Sequence, residues 1–106
     1  MNWEEYEKNI ESLFSFCKVI IKSKGRTYAR GENPLGNFNR LSQILGTDRK
    51  RILLIYFYKH LDAIIAHINE QREDTEDIKS RIADAINYLA ILYAMIVEDE
   101  KDGNKD

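Results

Sequence analysis

Long stretches in which apolar residues return every three or four positions alternate with short polar breaks, the pattern of amphipathic helices rather than strands. The most apolar stretch, residues 80–96, carries Ile82, Ala85, Ile86, Leu89, Leu92, Tyr93 and Ile96 at helical spacing. Ala83, Ala90, Ile91, Ala94 and Met95 fill most of the remaining circumference. A helix this apolar all round has to be covered on several sides. Arg81, Asp84, Asn87 and Tyr88 interrupt it, and burying such groups costs on the order of a few kcal/mol each unless they find partners. The pattern predicts a central helix with a polar site cut into it.

The same spacing predicts three more helices. In residues 2–23, Trp3, Tyr6, Ile10, Leu13, Phe14, Cys17, Val19, Ile20 and Ile21 step mostly by three or four, opposite a charged outer face of Glu4, Glu7, Lys8, Glu11 and Lys18. Asn2 suits an N-cap, and Glu5 stands three residues on, as in a capping box. Residues 37–45 form a short helix that packs Phe38, Leu41, Ile44 and Leu45 and stops at Gly46. Thr47 or Asp48 caps a third helix over 48–70, with Leu53, Tyr56, Phe57, His60, Ile64, His67 and Ile68 along one broad face. The central helix, capped by Asp74 or Thr75, spans 75–98. Residues 101–106 hold no apolar side chain, and a disordered tail is expected there.

Together these elements predict an all-α, four-helix, mainly antiparallel bundle in a single domain of residues 1–100. The short polar linker between the last two helices requires them to pack antiparallel. Their joint apolar surface exceeds what one amphipathic and one short helix can cover, which predicts self-association into a homo-oligomer.

Composition narrows the function classes. With 43% hydrophobic and 32% charged residues in 106, the chain is globular and one domain long. A net charge of −2 supplies no basic stripe, so duplex nucleic acid is not expected as a partner. The single cysteine, Cys17, excludes an internal disulfide and a zinc cluster. The acidic N-terminus lacks the form of a signal peptide, and Asp84 and Asn87 argue against a membrane span, so a cytoplasmic protein is expected.

Candidate chemistry gathers in two places. Residues 24–36 form the one long irregular segment, with three of the five glycines and the only proline; loops of this length in small domains are often functional. Across residues 22–40, Lys22, Lys24, Arg26, Arg30 and Arg40 with Tyr28 and Phe38 interleaved suit a phosphorylated, base-bearing ligand, because arginine clamps phosphate oxygens and an aromatic ring stacks on a base. The second place is the set Arg81, Asp84, Asn87 and Tyr88, which share one helical face. His60, beside Lys59, could meet an anion. His60 and His67 lie roughly 10 Å apart along the helix, too far to hold one metal. Asp62 and Asp84 could face each other across the antiparallel pair, and Glu73 and Glu76 have Glu-x-x-Glu spacing, the pieces of a partial magnesium site.

The sequence reads Lys24-Gly25 with Tyr28-Ala29, then Asn37-Phe38, Lys59-His60 and RIADAINYL from Arg81 to Leu89. In this order the motifs resemble those of a group of small helical bacteriophage and prophage proteins, over roughly residues 22–97. That group is similar in outline to the MazG-like all-α nucleotide pyrophosphohydrolases. The resemblance implies a helical bundle with a nucleotide-sized site, and in the enzymes a magnesium ion (Mg2+) held by acidic helix pairs. Here Arg81 stands three residues before Asp84 where an acid is needed, and His60 and Ala63 supply no Glu-x-x-Glu pair.

The expectation is therefore a non-catalytic binder of a nucleotide or nucleotide-derived phosphate, without a cofactor, in a phage setting one that sequesters a host signalling nucleotide. Its site would comprise Lys24, Arg26, Tyr28, Arg30, His60, Arg81, Asp84 and Asn87. The alternatives are a degenerate MazG-like enzyme with Asp62, Glu73, Glu76 and Asp84 around Mg2+, and a helical protein-interaction module.

Overall fold

In the computed structural model, residues 1–25, 33–70 and 77–103 are described. They form four α-helices: α1 (Trp3–Ile20), α2 (Gly36–Leu45), α3 (Arg49–Ile68) and α4 (Ile78–Gly103). A π-helical turn, Ile21–Gly25, continues α1. No strand occurs among the described residues. The all-α bundle expected from the pattern is the fold observed.

Local chemistry sets the helix ends. The Asn2 side chain accepts a hydrogen bond from the Glu5 N–H at 2.9 Å, and that of Asp48 accepts from Lys50 at 2.8 Å. Both are caps that satisfy otherwise orphaned donors of the first turn. Asn33 steers the chain into α2, accepting from Leu35 N–H with its side chain and from Gly36 N–H with its carbonyl. Gly46 ends α2 at φ +65°, a left-handed conformation that costs glycine little, and its N–H returns to the Ser42 carbonyl.

The antiparallel pair α3–α4 is the centre of the molecule. Arg49 at the start of α3 reaches Glu98 and Asp99 late in α4, while His60 meets Arg81 and Asp84 early in α4. The short helix α2 packs on α3, and α1 packs on α4 rather than between the two. Buried Leu35, Phe38, Ile52, Leu53 and Met95 form the core, flanked by Tyr56, Tyr88 and Ile91. At about 25 cal/mol per Å2 of apolar surface, each such side chain contributes roughly 1.5–3 kcal/mol.

Four expectations are corrected. The last helix does not fray after Glu98 but runs to Gly103, because Asp99 is tied to Arg49 and Lys50 across the pair; residues 101–103 of the expected tail are thus helical. The first helix gives way to the π turn after Ile20. The single broad face expected on α3 is two faces: Leu53 and His60 are buried, while His67 and Ile68 are exposed. Among the described residues α1 and α3 cover the central helix from two sides, and Ile82, Leu89, Tyr93 and Ile96 are left exposed, the apolar surplus anticipated from the pattern. The central helix begins at Ile78, with Asp77 before it non-helical, rather than at residue 75; its expected caps, Asp74 and Thr75, lie outside the described residues, as do residues 104–106.

By length and composition α4 could cross a membrane, with a mean hydropathy of 1.3 in its most apolar window. Within it, however, Asp84 and Asn87 are buried against α3 and α1, as in the core helix of a bundle.

Candidate functional site

The start of the site lies where α1 loosens. In a π turn the hydrogen-bond register shifts, and such turns recur at functional positions. Here the Ile21 N–H is shared between the Cys17 and Lys18 carbonyls. Ser23 Oγ donates to the Val19 and Ile20 carbonyls, both at 3.2 Å. Asn87 Nδ2, from α4, donates to the Cys17 carbonyl at 3.1 Å, and Cys17 Sγ donates to the Ala83 carbonyl. Carbonyls at this junction are thereby satisfied, and the end of α1 is tied to the middle of α4.

A cavity of 440 Å3 opens beside this junction, within the size range of small-molecule sites. Ile20, Ile21 and Lys24 line it from the end of α1 and its π turn, and Pro34, Asn37 and Phe38 from the approach to α2. Tyr56, Lys59 and His60 come from α3, and Arg81, Asp84, Asn87, Tyr88 and Ile91 from α4.

Four rings form one wall. Tyr88 stacks on His60, with centroids 5.3 Å apart, and on Tyr56 at 6.0 Å with an interplanar angle of 11°. Phe38 meets Tyr56 and Tyr88 edge-on at 5.7 and 6.4 Å. Such pairs add roughly 0.5–1.5 kcal/mol each beyond area burial and fix the ring planes. Tyr56 and Tyr88 are only half-buried.

Charge forms the other wall. Arg81 Nη1 lies 3.3 Å from His60 Nδ1, and Asp84 Oδ2 lies 3.8 Å from the same nitrogen. A neutral imidazole accepts from Arg81 at Nδ1; a protonated one turns that N–H towards Asp84. Lys24, Lys59 and Arg81 set three cationic side chains against the single carboxylate of Asp84 among the described lining residues. Low-dielectric walls strengthen that excess, and an anion would be drawn in.

Of the eight residues expected from sequence, five line this one cavity: Lys24, His60, Arg81, Asp84 and Asn87. Arg26, Tyr28 and Arg30 lie outside the described residues. Asn87 commits one amide hydrogen to α1, so part of its role is structural. Phe38, Tyr56 and Lys59 also line the cavity; the sequence offered Phe38 as an aromatic of the basic loop and Lys59 and Tyr56 as neighbours of His60, but the expected site set did not include them.

Of the alternative magnesium set, the two described members, Asp62 and Asp84, are not brought together in the cavity. Asp62 is exposed and does not line the cavity, because two residues along a helix turn it about 200° away from His60. Glu73 and Glu76 lie outside the described residues. Among the described residues no group of three His, Cys, Asp or Glu side chains is placed to hold a metal ion.

No protein-family model, curated protein or solved structure matches the chain.

Proposed function

We propose that the cavity binds a nucleotide or nucleotide-derived phosphate and holds it without turnover. The observation that carries this reading is the pairing, in one 440 Å3 space, of a half-open aromatic wall with an excess of cations. A planar base would stack on Tyr56 or Tyr88, and phosphate oxygens would meet Arg81, Lys24 and Lys59. The Asp84 carboxylate and the Asn37 and Asn87 amides suit the polar edges of a base or ribose. Retention rather than hydrolysis follows from Arg81, which occupies the position where a metal-binding acid would be required and stabilises bound anion. In a bacterial cytoplasm such a protein would act by sequestration, and the resemblance to phage proteins fits that use.

The test is a thermal-shift and calorimetry panel of linear and cyclic nucleotides, with and without magnesium. Stabilisation by one nucleotide class is expected without magnesium, and Arg81→Ala should weaken it by about tenfold or more, since a charge-assisted hydrogen bond contributes roughly 1.5–3 kcal/mol. Magnesium-dependent release of pyrophosphate would replace this reading with the hydrolase. No shift with any member would leave the cavity without a nucleotide role.

A further inference from the structure

Away from the cavity, α3 and α4 leave an apolar face exposed. On α3, Leu54, Tyr58, Leu61, Ile65 and Ile68 follow one another at steps of four, three, four and three. On α4, Ile82, Ile86, Leu89, Tyr93 and Ile96 repeat the same steps. Four of the five on each helix are exposed, up to 71% for Ile68 and 72% for Tyr93. This alternation is the seam spacing of helices that pack at about 20° in bundles. Two heptads are too short for a free coiled coil but match the length of a bundle interface.

The two seams lie on the same side of the pair. Counting 100° per residue, the α3 seam sits about 120° beyond the direction of α4, marked by Leu53 and His60. The α4 seam sits about 130° beyond the direction of α3, marked by Tyr88 and Met95. Antiparallel helices turn in opposite senses when seen end-on, so these rotations bring both seams to one face. The surfaces that meet α1 and α2 rotate the other way, which puts those helices and the cavity on the opposite face.

We infer that this bare face is the interface of a homodimer, closed by the α3–α4 face of a second copy. The structure favours a second copy over a different partner because the face complements itself. It presents two antiparallel helices with identical seam spacing, so a two-fold rotation lays seam on seam with every neighbouring helix antiparallel. The charges at its borders do not oppose this: Arg51 and Lys79 are matched by Asp62 and Glu100, and the Lys50–Asp99 pair closes one end.

The inference does not rest on the nucleotide reading, and its test needs no ligand. Sedimentation of the full chain at micromolar concentration should give twice the 12.5 kDa of one chain. Leu89→Lys, at an exposed seam position, should weaken association about tenfold or more while helicity stays unchanged. Leu54→Lys provides the same reading from α3. Ile44→Lys, on α2 and 75% exposed on the opposite side, should leave the dimer intact. A wild-type monomer overturns the proposal, as does an assembly that survives both seam variants or is broken by Ile44→Lys. Co-sedimentation of monomeric wild type with phosphatidylcholine–phosphatidylserine vesicles would reassign the face to a membrane surface and equally overturn it.

Discussion

Cys17 sits where α1 touches α4, and its reactivity reports that contact. Burial pushes the thiol pKa up, and the Asp84 charge acts in the same direction. Since the thiolate is the nucleophile, the folded protein should react slowly with a thiol reagent at pH 8 and completely in urea. Rapid modification of folded protein would mean that α1 is undocked. Single residues also mark how far the site was legible in the sequence. Arg81, Asp84 and Asn87 stood out because polar groups inside an otherwise apolar helix need partners. Tyr56 and Phe38 were not in the expected set, because an aromatic residue at helical spacing reads equally as core, and here the two roles coincide. Asp62 was misplaced for a simpler reason. Which face of α3 meets α4 is a tertiary choice, and α3 is apolar on two faces.

Among the elements, α4 is held at its far end by one arginine. Arg49 Nη1 donates to Asn39 Oδ1 and Glu98 Oε1, both at 3.0 Å, and Nη2 to Asp99 Oδ1 at 2.9 Å and to the Met95 carbonyl at 3.4 Å. Its side chain is only 13% exposed, so this fork joins α2, α3 and α4 in a sheltered position. Arg49→Ala should cost about 2–3 kcal/mol in urea unfolding, and lysine should not restore it, having no planar fork. The hydrogen bond from Lys50, followed by that from Arg49, holds the Asp99 carboxyl below the usual 3.8. A pKa lower in the folded state gives stability that is full above pH 3.8 and lost as pH falls through the lower folded value. Asp99→Asn should therefore lower Tm at pH 7, and the gap to wild type should narrow in acid. An unchanged gap near pH 2 would assign the effect to packing. This network explains why the end of α4 was read as tail: its composition is polar, and only the cross-helix ion pairs make it structure.

For the whole molecule, the proposed ligand site and the proposed dimer face lie on opposite sides of one helix pair. The cavity lies with α1 and α2, while the seams face away, so ligand and partner would act on different surfaces. That separation predicts how the protein melts. If the seams close on a second copy, part of the apolar burial of each chain, that of Leu54, Leu89 and Tyr93 included, comes from the partner. Unfolding would then be coupled to dissociation, and mass action requires Tm to rise with protein concentration. Wild type melted over a hundredfold concentration range should show that rise, and Leu89→Lys should melt lower and without it. A nucleotide at about 100 times its Kd should add roughly 2.7 kcal/mol to either form, because Leu89 does not itself line the cavity. A concentration-independent Tm in wild type would show that each protomer folds without its partner. Ligand stabilisation lost in Leu89→Lys would show that the faces are coupled through α4, where Tyr88 and Leu89 are adjacent and about 100° apart around the helix.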